Sequence, residues 1–152
     1  MGVSYPAPEV GLVISYSFLW SEEAQQGQVE GRKDRPCAIV MAVETDERDA
    51  GRPYQIAVVP ITHVPHGNPE VAIEIPAAVK RHLGLDEDRS WIVVDEFNTF
   101  TWPGYDLRPI KKKEGRIDYG FLPPKLFDQI IEKITQLQSQ GKITQTSRDD
   151  AA

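Results

Sequence analysis

Apolar positions along this chain fall into short runs parted by polar stretches rich in Gly and Pro, a spacing that predicts strands for most of its length. Leu12 to Leu19 is dense in β-branched and aromatic residues and predicts a first strand. The polar stretch Glu22 to Lys33, carrying Gly27 and Gly31, predicts a long loop of the kind that often serves as a functional lid. Arg35 to Val43 is apolar almost throughout and predicts a central strand. A charged turn, Asp46 to Pro53, leads to a third strand, Tyr54 to Val59, and their closeness predicts an antiparallel hairpin. After a proline-punctuated loop, Thr62 to Pro69, the alternation of Val71 to Ile75 predicts an outer strand with Glu74 toward water. Pro76 to Gly84 predicts a short helix, with Pro at its start and Gly at its end. Trp91 to Val94 predicts another central strand, running into Asp95 to Phe100. Pro123-Pro124 opens a C-terminal helix in which Leu126, Ile130, Ile134 and Leu137 share one face, with Phe127 and Ile131 beside it and Gly141 as its stop. The expected architecture is α+β, mainly β: a small, strongly bent antiparallel sheet or barrel with one long helix packed at its end. Residues 1–140 form a single domain in this reading, and 141–152 a polar, disordered tail.

Composition narrows the class. At 152 residues the chain suits one domain with a real core, and 40% hydrophobic with 26% charged residues argues against wholesale disorder. No apolar run approaches the roughly 18–20 residues of a membrane helix. The N-terminus lacks the basic and apolar regions of a secretory signal, and Pro6 and Ala7 do not continue the myristoylation pattern that Met1-Gly2 opens. The single cysteine, Cys37, cannot form an internal disulfide and reads as a packed thiol in an apolar strand. Together these predict a soluble cytoplasmic domain with no membrane partner. A net charge of −6 argues against bulk nucleic-acid binding. Two local basic patches offset it, Arg32-Lys33 with Arg35, and Arg108 with Lys111-Lys112-Lys113 and Arg116; the second reads equally well as a solvated loop.

Chemistry concentrates at strand edges. Glu30, Arg35 and Thr62 are a carboxylate that can move a proton, a guanidinium that can grip phosphate in a fork, and a hydroxyl that can orient it. Gly11 stands before the first strand, Glu30 precedes Arg35-Pro36 at an acid-x4-Arg spacing, and Pro60-Ile61-Thr62 closes the third strand. A later strand ends in Asp95, and a helix closes the pattern. Over residues 10 to 138 the chain thereby resembles the PemK/MazF family of toxin endoribonucleases of type II toxin-antitoxin systems. The resemblance implies an SH3-like barrel, a homodimer, metal-independent hydrolysis of single-stranded RNA, and neutralisation by a cognate antitoxin peptide. It carries the family's arginine to Arg35, its threonine to Thr62 and its loop carboxylate to Glu30. The chain departs from the family at Gly11-Leu12, where Gly-Asp is usual, and at Asp95-Glu96, where an acid-Gln pair is usual. Its loop is also longer, and Phe100 to Leu107 has no family counterpart.

With RNA as substrate the 2′-hydroxyl is the nucleophile. Arg35 neutralises the phosphate oxygens, Thr62 donates to them, and Glu30 serves as general base, with Arg35 itself or a water as the acid. His63 is an alternative base and Asn98 an auxiliary candidate, although the two-residue period of a strand turns His63 away from the face of Thr62 unless the chain bends. Arg32, Lys33, Lys111 and Lys112 are candidates to track the RNA backbone, and Trp102 and Tyr105, with Phe100, to stack bases. No cofactor and no metal is expected. Two alternatives stay open: a catalytically inactive barrel that binds RNA or a partner peptide, and a zinc hydrolase using His63 and His66, for which no further ligands have suitable spacing.

Overall fold

The strand-forming runs condense into one sheet in the computed structural model, which describes residues 5–28, 31, 33–44, 54–65, 67–104 and 106–149. Its strands are β1 (Leu12–Tyr16), β2 (Arg35–Glu44), β3 (Tyr54–Thr62), β4 (Ala72–Glu74), β5 (Trp91–Val93), β6 (Glu96–Trp102), β7 (Asp118–Phe121) and β8 (Thr144–Ser147). The helices are α1 (Ser21–Gln25), α2 (Ala77–Leu83) and α3 (Pro124–Ser139). The main path runs β4-β5-β3-β2-β1-β7, with β6 pairing β3 and β8 pairing β6. Every pairing is antiparallel except that of β6 with β8. The β2–β3 hairpin forms as expected, in a register that sets Cys37 against Pro60 and Glu44 against Tyr54; its turn lies outside the described residues.

β3 is the pivot. Its Tyr54–Val58 half pairs with β6, whereas Ile61 and Thr62 pair with β5, so the strand changes neighbour along its length and the sheet bends. Among the described residues β4 and β7 do not pair with each other, so the sheet is open and the barrel closure expected from the sequence is not made by hydrogen bonds.

The central strands are apolar on both faces because each face covers a different core. Val13, Ala38, Ala57, Val59 and Ile61 pack with Ile92, Leu122 and the α3 stripe Leu126, Ile130, Ile134 and Leu137. Leu12, Ile14, Tyr16, Cys37, Ile39, Ile56 and Val58 pack on the other side with Phe18, Phe100, Trp102 and Ile117. Each fully buried aliphatic contributes about 1.5–3 kcal/mol, so truncating Ile130 to Ala would cost about 2–5 kcal/mol once its cavity is included. The α3 stripe therefore serves the core. Cys37 is buried too, and burial pushes its thiol well above the usual range, as a packed thiol requires. No described helix is long and apolar enough to cross a membrane.

Three expectations need correction. The stretch after β1 is not wholly loop: α1 forms there, with the Glu23 carboxylate accepting the Trp20 amide at 3.0 Å to close its first turn. β6, β7 and β8 were not singled out by the hydrophobic pattern. The tail placed at 141–152 is ordered through residue 149, because β8 lies along β6 and the Asp149 carboxylate accepts the Thr101 amide and hydroxyl at 2.8 and 2.9 Å. A strand held by backbone ladders needs no apolar face, so the polar Thr-Gln-Thr-Ser run gave no periodic signal.

Candidate active site

β2 begins and β3 ends at the same edge of the sheet. Continuing the Cys37–Pro60 register by two residues on each strand sets Arg35 opposite Thr62, and period-two alternation gives both the same face. Both line one cleft of about 340 Å³, together with Lys33, Asp34, His63, Asp86 and the turn Ile110–Lys113. Five cationic side chains (Lys33, Arg35, Lys111, Lys112, Lys113) face two carboxylates (Asp34, Asp86) there. A chain of net charge −6 thus carries a locally basic hollow. Low-dielectric walls concentrate such a field on an incoming anion.

Arg35 is half-buried. Its guanidinium lies 5.3 Å from the Trp20 ring centroid, and its Nε is buried without a hydrogen-bond partner among the described residues. Burial lowers its pKa from the ordinary value, opposed by the Cys37 and Glu23 charges, and an arginine so placed stays cationic at any working pH. A desolvated cation with an unmade hydrogen bond is suited to an oxyanion. Thr62 is buried, and its Oγ1 accepts the Val64 amide at 3.2 Å, leaving the hydroxyl proton free to donate. That local bond also bends the chain immediately after β3. His63 consequently reaches the same cleft as Thr62, where strand periodicity alone would have sent it away.

His63 is tied down there. Its Nε2 lies 2.8 Å from Asp86 Oδ2, and Asp86 Oδ1 accepts from Lys80 Nζ at 2.7 Å. Lys80 is only 4% exposed and also donates to Ser90 Oγ at 2.7 Å and to the Asp88 carbonyl. Burial works to raise the Asp86 pKa, but the Lys80 hydrogen bond, the His63 and Lys80 charges and the Asp88 amide together hold it below the usual carboxylate range. His63, Asp86 and Asp88 bring their polar atoms within 4.8 Å of one another. The Lys80 ammonium already pairs with Asp86 in that cluster, so we read it as an ion-paired group, not a metal site. His66, the other histidine of the zinc alternative, lies outside the described residues.

Two site assignments are overturned. Asn98 is fully buried away from the cleft: its Nδ2 donates to the Leu19 carbonyl at 2.7 Å, and its Oδ1 accepts the Leu19 amide at 2.8 Å and Arg148 Nη1 at 3.0 Å. It is a structural tie between β6 and the segment after β1. Trp102 is 4% exposed and packs in the second core 6.1 Å from Phe100, which in turn stacks 4.9 Å from Tyr16. Alternation along β6 turns both aromatics inward, so neither offers a face to a base. Lys33, Lys111 and Lys112 do line the cleft and make no ion pair among the described residues. Glu30, Arg32 and Tyr105 lie outside the described residues.

The sequence reading missed Trp20, Glu23, Lys80, Asp86 and Ser90. Trp20 and Glu23 line a second hollow, of about 430 Å³, that shares Lys33 and Arg35 with the first. The pairing of Tyr16 with Arg35 in β1–β2 puts the residues just after β1 beside Arg35, a link that only strand register reveals. The α2 stop at Gly84 followed by Asp86, Asp88 and Ser90 was the available signal for the Lys80 anchor. No family model matches the chain, and a search of curated proteins finds no matching relative.

Proposed function

We propose that this protein is a metal-independent endoribonuclease of the PemK/MazF type, cleaving single-stranded RNA by attack of the substrate's own 2′-hydroxyl. One observation carries the reading: a guanidinium with no hydrogen-bond partner among the described residues and a hydroxyl that donates to none of them, from two strands, converge on one face of a solvent-open basic cleft. Arg35 neutralises the non-bridging phosphate oxygens and Thr62 donates to them, holding the phosphate in line. Glu30 is the general base of the sequence assignment. Lys111 and Lys112 follow the flanking backbone. In this reading the open, bent sheet corresponds to the family's SH3-like barrel, and the functional unit is a cytoplasmic homodimer countered by an antitoxin peptide.

The test is single-turnover cleavage of a mixed-sequence RNA in EDTA, with analysis of the product ends. The expected result is a 2′,3′-cyclic phosphate and a 5′-hydroxyl, abolished by Arg35→Ala. A 5′-phosphate product refutes the 2′-hydroxyl route, and undiminished cleavage by the variant refutes the site. RNA that is bound in a salt-dependent way but never cut selects the inactive-barrel alternative.

A further inference from the structure

We propose that His63 is the general acid of this cleft, protonating the leaving 5′-oxygen, and that Asp86, locked by Lys80 and Ser90, is its positioning residue. The inference rests on the nuclease reading and puts His63 in place of Arg35 or a water as its proton donor.

An exposed His–Asp pair is ordinarily worth little and has no necessary role. This pair differs in what stands behind it. Lys80 is a buried ammonium, which is costly to bury unless paired. Its bonds to Asp86, Ser90 and the Asp88 carbonyl fill that requirement and fix the carboxylate. The Asp88 amide donates to the same Asp86 oxygen at 3.2 Å. The carboxylate's second oxygen holds His63 Nε2. The ring is thereby oriented with Nδ1 left over, and Nδ1 has no hydrogen-bond partner among the described residues. This is the nucleophile-and-orienter logic of catalytic triads transferred to a proton donor: an acid whose ring is held in place by a third group.

The location suits the role. His63 follows Thr62 directly and lines the cleft that Arg35 enters from the opposite strand. The charged groups around it are Asp86 and Asp88 from the loop after α2, Lys80 behind them, and Lys33, Asp34, Arg35 and Lys111–Lys113 from the other elements that line the cleft. In the step, the 2′-oxygen forms a bond to phosphorus and its proton passes to the general base, Glu30 in the proposed reading, and from there to solvent. The bond from phosphorus to the 5′-oxygen breaks, and that oxygen takes the Nδ1 proton, leaving His63 neutral. Solvent then reprotonates it.

The experiment uses two RNAs that differ at one linkage, the second carrying sulfur in place of the bridging 5′-oxygen. A thiolate leaves without protonation. With the ordinary linkage, His63→Ala should cleave about 10²–10⁴-fold more slowly than the parent at saturating protein. With the sulfur linkage it should cleave at nearly the parent rate. The parent's rate should fall on the alkaline side of its pH profile, and His63→Ala should lose that limb. Asp86→Asn should slow the ordinary linkage and spare the sulfur linkage, since it loosens the ring that donates the proton. Equal slowing of His63→Ala on both linkages, or none on either, overturns the assignment while Arg35→Ala still tests the nuclease reading separately. Failure of the parent to cut either RNA overturns both.

Discussion

Two arginines divide the polar chemistry of this molecule. Arg148 is buried to 1% of its side chain, and its guanidinium donates to the Ser17 carbonyl at 2.7 Å, to Asn98 at 3.0 Å and to Asp106 at 2.8 Å, above the Tyr16 ring. Arg35 is half-buried over Trp20 and makes no side-chain hydrogen bond or ion pair among the described residues. Both are arginines beside an aromatic ring. One has its terminal nitrogens bonded by the fold, and the other has no hydrogen-bond partner for its fork among the described residues. A cation whose partners are internal supports structure, and a held cation without them marks a binding site.

The comparison breaks if the two arginines fail in the same assay. The largest effect expected is on stability: Arg148→Ala should cost about 3–5 kcal/mol in urea denaturation, because it removes a buried cation together with its bonds to Ser17, Asn98 and Asp106. The next is on catalysis. Arg35→Ala should slow RNA cleavage about 10²–10³-fold while costing less than about 1 kcal/mol of stability, the loss of its contact with Trp20. Arg35→Lys should recover only part of the rate, since a point charge lacks the fork.

Smaller effects sharpen the picture at the cleft's rim. Lys112→Ala should weaken RNA binding evenly across sequences and reduce the slope of log affinity against log salt by about 0.7, the share of one phosphate contact on a single strand. The smallest is a pH effect. Asp86 titrates lower in the folded chain than in the unfolded one, so on acidification the unfolded chain takes up the proton first. Its contribution to stability is therefore present above about pH 4 and is lost as pH falls through the folded value. Asp86→Asn should lower stability above about pH 5 and converge on the parent toward about pH 2, which flattens the acid limb of the stability profile.

How much of this was legible in the chain differs by feature. The central strands, the β2–β3 hairpin, the outer strand with exposed Glu74, the Pro76–Gly84 helix and the α3 stripe all announce themselves through period or terminal residues, because burial imposes a pattern on the residues that are buried. Arg35 and Thr62 stood out as chemistry at strand ends. Asn98 and Trp102 did too, and wrongly, since a polar amide and an aromatic look the same in sequence whether they face solvent or close a core. β8 and Arg148 left no mark at all: a ladder held through the backbone writes nothing in the side chains, and the partners of Arg148 lie 42 to 131 residues away.

By itself, then, the sequence determined which of the apolar segments would be strands and helices, that the central ones are covered on both sides, and which residue types could handle a phosphate. Tertiary structure alone decided that Arg35 and Thr62 meet across β2 and β3, that the bend after Thr62 returns His63 to the same hollow, and that Lys80 sits inside to hold Asp86. The reason is physical: local propensity and period act over a few residues, whereas a site is made by register and bending between strands whose partners are chosen by the whole chain.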